Sequence, residues 1–128
     1  MSNQHLTGSE WNVLACLWEK SPQTLMQLVG ELGARVGWAK STTITTLRRM
    51  EDKGLVRCEA TAKGKSYTPL VAQEQATCTE TRSFLDRVYR GSVGLMVSTM
   101  AARQELSDAE INELREILRN AEGGRHDL

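Results

Sequence analysis

Hydrophobic positions recur at helical spacing three times in the first part of the chain and then give way to alternation. Thr7-Gly-Ser-Glu10 is a capping box, and behind it Trp11, Leu14, Leu17 and Trp18 share one helical face with Val13 beside them. Ser21-Pro22 ends this first helix. Thr24 caps a second, with Leu25, Leu28, Val29 and Leu32 inward and a stop near Gly33. Gly37-Trp38 leads into a third, whose apolar side is Thr43, Ile44, Leu47 and Met50, and Gly54 stands where a left-handed cap would close it. Trp38 is expected to pack that connection against the core. Leu55 to Ala60 then reads as a strand, Thr61 to Lys65 as a turn with a glycine at its tip, and Ser66 to Leu70 as the returning strand, with Pro69 at its end. Beyond the hairpin the pattern is helical only. Ala72 to Arg90 places Thr77, Thr81, Phe84, Leu85 and Val88 on one stripe, broken at Gly91. Ser92 caps a helix with Val93, Met96, Val97 and Met100 inward. Ser107-Asp-Ala-Glu110, another capping box, opens a last helix with Ile111, Leu114, Ile117, Leu118 and Ala121 inward and Gly123 after it.

The other side of the third helix is unusual. It carries Ser41, Thr42, Thr45 and Arg49, with Thr46, Arg48 and Lys53 on the flanks, Lys40 at the start and no acid before Glu51. Solvated helix faces usually interleave Glu and Lys, and threonine is a mediocre helix former, so helix stability does not account for this face. Hydroxyls and guanidinium groups donate to phosphates and reach base edges in a major groove. A helix of this kind followed by a two-stranded ribbon with Lys63 and Lys65 at its tip is a winged helix-turn-helix. The expected fold is therefore mainly α with a small β-hairpin wing. Residues 1–71 would form the winged domain and 72–122 a helical dimerisation segment, with 123–128 a disordered tail. Three short helices with one apolar stripe each cannot close a core of their own at this length. Phe84, Leu85, Val88, Val93, Met96, Val97, Met100, Ile111, Leu114 and Leu118 are thus expected to meet a second copy of the chain.

Charge sharpens this picture. The 128 residues sum to a formal net charge of zero, but residues 35–65 carry eight Lys/Arg against three Asp/Glu, and residues 104–128 carry three basic against seven acidic groups. Phosphate attraction depends on the local patch within a Debye length, so the zero total is no objection to nucleic-acid binding. The apolar fraction of 40% suffices for a core, and no apolar run approaches membrane-spanning length. Met-Ser-Asn-Gln-His-Leu lacks the regions of a signal peptide. Three cysteines, Cys16, Cys58 and Cys78, have no metal-ligand spacing and fit a reducing cytoplasm. No metal or other cofactor is implied.

The chain resembles the penicillinase-repressor family of bacterial transcription repressors (BlaI-, MecI- and CopY-like) over nearly its whole length. Leu6-Thr-Gly-Ser-Glu-Trp-Asn-Val-Leu14, Leu17-Trp-Glu-Lys-Ser-Pro22, Trp38, Ser41-Thr42 and Thr45-Thr-Leu-Arg-Arg49 carry the resemblance in the first half. Lys53-Gly-Leu-Val56, Tyr67 and Pro69-Leu70 continue it, followed by Ser83 to Ser92 and Leu106 to Leu114. The resemblance implies a homodimeric repressor on a pseudo-palindromic operator, with Ser41, Thr42, Thr45 and Arg49 at the groove-contacting positions. A lysine frequent in the family is Ser41 here, with Lys40 beside it, so operator preference is expected to differ. In the β-lactam branch a membrane-bound sensor protease triggers cleavage at an Asn-Phe bond; the matching bond here is Thr99-Met100, whose residues are not kept. The copper-responsive branch has Cys-x-Cys motifs near its C-terminus, and Arg115 to Leu128 contain no cysteine.

Three other function classes stand beside this one. Enzymatic activity finds no support: His5 and His126 lie in termini expected to be mobile, and no nucleophile, carboxylate pair or phosphate loop forms a constellation. A winged helix used for protein contacts is compatible with the fold, because fold does not determine function. A thiol-responsive repressor would use Cys78, since Cys16 and Cys58 read as core thiols.

Overall fold

A computed structural model describes residues 5–126; the signal-peptide reading and the final two residues of the tail therefore fall wholly or partly outside it. The chain divides into two compact units, Met1–Thr81 and Arg82–Leu128. The division lies inside a helix rather than at 71/72, because the first turns of that helix pack on the winged unit and bury Ala76 in its core.

In the first unit, α1 (Gly8–Glu19) opens as the capping box predicts: the Thr7 hydroxyl accepts from Glu10 N and the Glu10 carboxylate accepts from Thr7 N. Helix α2 (Leu25–Val36) starts with the same device, Thr24 paired with Gln27. It runs past the predicted stop at Gly33 and ends on Gly37, at φ 71°. A helix accepts an interior glycine at a cost of about 1 kcal/mol, whereas termination needs the left-handed conformation that Gly37 takes. Helix α3 (Lys40–Lys53) ends on Gly54, at φ 80°.

A short strand β1 (Gln23–Thr24), not foreseen from the sequence, joins β2 (Val56–Thr61) and β3 (Gly64–Pro69) in an antiparallel sheet of order β1-β3-β2. The register pairs Gln23 with Tyr67 and Cys58 with Tyr67 on the other side. Gln23 is buried, and its amide donates to Cys16 O at 3.0 Å and Lys20 O at 2.9 Å, closing the C-terminus of α1.

The core is Val13, Leu14, Leu17, Leu28, Leu32, Leu47, Met50, Leu55, Val56 and Tyr67. Trp38 packs against it as expected, and so do Trp11 and Trp18, edge to face with ring centroids 5.3 Å apart. The Trp18 indole donates to Val71 O at 2.9 Å, tying the end of the wing to α1. Thr43 is fully buried under α3, and its hydroxyl has no hydrogen-bond partner. An unsatisfied buried hydroxyl costs about 1–3 kcal/mol, and a β-branched apolar isostere fills the same space. Thr43→Val is therefore expected to stabilise the fold by about 1 kcal/mol. Urea unfolding checks this; a variant less stable than the parent would mean that the hydroxyl has a partner.

The second unit contains the rest of α4 (Gln73–Tyr89), α5 (Val93–Ala102) and α6 (Asp108–His126). Arg90 and Gly91, at φ 55° and 80°, end α4, and Ser92 caps α5 by accepting from Leu95 N. Ser107 and Glu110 form the predicted capping box on α6. That helix does not stop at Gly123: it continues through Gly123 and Gly124, neither of which adopts a positive φ. Helix α5 buries none of its side chains. Leu85 is buried within its own chain at 4% exposure, so it is not part of a free apolar face. Phe84, Val88, Val93 and Leu118 are exposed, as are Leu95 and Ile117; Met96, Val97, Met100, Ile111 and Leu114 are half-buried.

Candidate nucleic-acid interface

Helix α3 turns about 100° per residue, which places Thr43, Leu47 and Met50 on the core and leaves an opposite face free. On that free face Ser41, Thr42, Thr45, Arg48 and Arg49 are exposed, as is Lys40 at the start. Thr46 is not with them. It sits beside Thr43 and Met50 at 9% exposure, and its hydroxyl donates to Thr42 O at 2.8 Å, so its hydrogen is committed to its own helix. The N-cap of α3 is Ala39, which has no side-chain acceptor; Thr42 N and Thr43 N both turn to Ala39 O, at 3.1 and 3.3 Å. The acids Glu51 and Asp52 lie in the last turn of α3, away from its Ser/Thr-rich half.

The turn between β2 and β3 is tighter than the sequence pattern implies. Thr61 pairs with Gly64, leaving Ala62 and Lys63 at the tip, and Gly64 takes φ 107°. The Thr61 hydroxyl donates to Gly64 O at 2.6 Å and accepts from Lys63 N at 3.2 Å, which locks the tip. Lys63 and Lys65 are both exposed. Lys65 pairs with Ala60, so it lies on the sheet face that Tyr67 shares, but beyond the core. Arg57 is exposed on the opposite face of the ribbon, about 4.0 Å from Glu59.

Lys53 does not behave as a free member of the basic patch. Its ammonium donates to the carboxylate of Glu10, a residue at 5% exposure on the first turn of α1. Burial alone would raise the Glu10 carboxyl, but the Lys53 ammonium and the Thr7 backbone N–H hold it below its ordinary value. The sequence marks Glu10 only as a helix cap; no local pattern points from it to a residue on α3.

The cysteines divide as expected. Cys16 is buried, which raises its thiol, and Cys58 is half-buried against Tyr67. Burial and the Cys58 neighbour push the Tyr67 hydroxyl up to about 12. Cys78 is exposed on α4. Among the described residues no group of three or more His, Cys, Asp or Glu could hold a metal ion, and no helix is long and apolar enough to cross a membrane. His5 is not isolated at its terminus: its Nδ1 lies 3.8 Å from the Glu80 carboxylate.

A profile of the penicillinase repressor family matches residues 6–120. The chain belongs to that family. Among its relatives in the penicillinase repressor family, the methicillin resistance regulatory protein MecI of Staphylococcus aureus (strain N315) is 26% identical over 113 residues, covering 88% of this chain and 92% of the relative. The penicillinase repressor of Bacillus licheniformis is 29% identical over 113 residues, 88% of each chain. Two solved structures share the fold. The DNA-binding domain of the repressor BlaI matches with a TM-score of 0.50 at 23% identity, over 54% of this chain and 84% of that one. The monomeric form of Bacillus licheniformis BlaI in complex with the blaP half-operator matches with a TM-score of 0.51 at 22% identity, over 57% and 89%. The architecture is accordingly a mainly helical winged-helix one, with a small antiparallel sheet, as the sequence pattern predicts.

Proposed function

We propose that this protein is a homodimeric transcriptional repressor that acts in the cytoplasm on a pseudo-palindromic operator. It belongs in a β-lactam response, with a membrane-bound sensor protease upstream and cleavage as the release step. The observation that carries the DNA-reading half is the face of α3: Ser41, Thr42, Thr45, Arg48 and Arg49 exposed together. Lys40 adds a charge at the N-terminal end of that face. A related repressor solved on a half-operator supports the same reading. In this arrangement α3 enters the major groove, where its hydroxyls and guanidinium groups reach base edges, and the wing lies along the backbone.

Lys63 and Lys65 then serve phosphates. Replacing either by alanine is expected to reduce the slope of log affinity against log salt by about 0.9. The site for this measurement is one selected from random DNA by the unaltered protein, and titrations at several salt concentrations give the slope. An unchanged slope removes the wing from the interface.

The assembly half rests on the second unit, where α5 buries nothing and apolar side chains of α4, α5 and α6 face solvent. Release by proteolysis draws support from the end of α5. The hydroxyls of Ser98 and Thr99 both donate to Leu95 O, at 3.2 and 2.8 Å, a competition with the backbone ladder that weakens a helix. Met100 is half-buried, so cutting at Thr99-Met100 requires local opening. The adjoining turn needs none: the Arg103 side chain is 73% exposed and Gln104 sits at φ 59°. Limited trypsin treatment is expected to cut first after Arg103 and to abolish operator binding, because α6 is lost with its Ile117 and Leu118. Mass spectrometry of the early fragments checks the position. A protein cut there that still dimerises and holds its operator would contradict the proposal.

A further inference from the structure

The chain contains three capping boxes, and they differ in one respect. Gln27 and Glu110, the third-position residues of the boxes on α2 and α6, are exposed, as a residue that only closes a helix end can be. Glu10, in the same position on α1, is buried. Burying a carboxylate is costly unless it is paired, and the cap does not require it. The two oxygens of Glu10 divide their duties: Oε1 accepts from Thr7 N at 2.9 Å, and Oε2 accepts from the Lys53 ammonium, across 43 residues of sequence.

Lys53 is a consequential place to hold. It is the last residue of α3, Gly54 then reverses the chain in a left-handed cap, and the buried Leu55 and Val56 begin the wing. Lys53, Arg49 and Thr45 follow one another at intervals of one helical turn, on one stripe. Thr7, Ser9, Glu10, Thr46, Arg49 and Lys53 together line a groove beside α3. A shift of Lys53 along or around the helix axis therefore moves Arg49 and Thr45 with it.

We infer that Glu10 is a positioning residue for DNA reading, which acts through Lys53 to set α3 and the departing wing strand against α1. Lys53 is on this account a tether and not a phosphate ligand, although it belongs to the basic stretch of the sequence. The inference rests on α3 being the DNA-reading helix.

Two substitutions isolate the tether. Glu10→Gln keeps an acceptor for Thr7 N, since glutamine serves in capping boxes, but removes the charge pair. Lys53→Met keeps most of the side-chain length without the ammonium. With a DNA site selected by the unaltered protein, and at a temperature where every variant is folded by circular dichroism, each is expected to bind about tenfold more weakly, within the usual range for coupling between two sites. The double variant is expected to bind no more weakly than either single one, Lys53→Arg to bind as the parent does, and the salt slope to stay unchanged throughout. If Glu10→Gln lowers only the melting temperature and the folded protein keeps full affinity, the residue is structural and the inference fails. It fails also if Lys53→Met alone weakens binding and lowers the salt slope by about 0.9, because Lys53 is then a phosphate ligand. An unaltered protein that selects no DNA site would instead overturn the reading of α3, and the inference with it.

Discussion

Leu118→Asp is expected to convert the protein to a monomer and to weaken its hold on a full operator by about 10²- to 10⁴-fold. Leu118 is 66% exposed, the highest value among the exposed large apolar side chains of the described residues. Phe84, Val88, Val93, Leu95 and Ile117 in the same unit are also open to solvent, and Leu85 is the one large apolar side chain there that its own chain buries fully. Three helices that leave this much apolar surface uncovered lack the hydrophobic driving force to hold one another in place, and a second copy supplies it. A carboxylate introduced at Leu118 must be desolvated on association without a partner, which costs more than the apolar packing it replaces. The loss of affinity comes from arithmetic and not from damage to the reading helix. Two half-site readers in one particle raise each other's effective concentration, and a monomer forfeits that term while keeping its half-site affinity. Sedimentation equilibrium and titration against full and half operators separate these quantities. Leu118→Met, which keeps the apolar character, should change neither. A Leu118→Asp protein that still sediments as a dimer would place the interface elsewhere in the chain.

What can be read without coordinates is what local chemistry dictates. Thr7 with Glu10, and Ser107 with Glu110, announce helix starts because the motif satisfies backbone donors within four residues. Gly54 announces a stop because only a left-handed residue lets the chain turn there into Leu55. The inward placement of Thr43 and the outward placement of Thr45 follow from helical phase alone. Thr46 departs from its expected place because it lies at the border of the two faces, where packing by neighbours and not phase decides exposure. Gly33 and Gly123 read as stops and are not; composition allows either role for a glycine, and the surrounding packing assigns it. Strand β1 is two residues long, too short to show alternation, and exists only because Tyr67 and Ser66 lie alongside to pair with it. The Glu10–Lys53 pair is invisible in the sequence for a related reason: the residues are joined by tertiary structure, and each has a sufficient local explanation by itself.

Arg49→Ala and Thr45→Ala are expected to weaken operator binding by about 1–3 kcal/mol for each base-edge interaction removed, and to leave the fold intact. Both side chains are exposed on α3, so truncating them opens no cavity. The two should differ in kind. An arginine in the groove can pair bidentately with a guanine, so Arg49→Ala should relax preference at one position of each half-site while the others keep theirs. Thr45 offers a hydroxyl and a methyl group; truncating it removes a shorter-range interaction, and Thr45→Val, which keeps the methyl groups, tells the two apart. Site selection repeated with each variant reads the preference directly, and salt titrations on the parent's site read the backbone contribution. An Arg49 that served a phosphate in place of a base would, on replacement by alanine, weaken all sequences alike and flatten the salt slope by about 0.9, with selectivity unchanged. If both variants bind the parent's selected site as tightly as the parent does, α3 is not the reading helix, and the exposed Ser/Thr/Arg face needs another explanation.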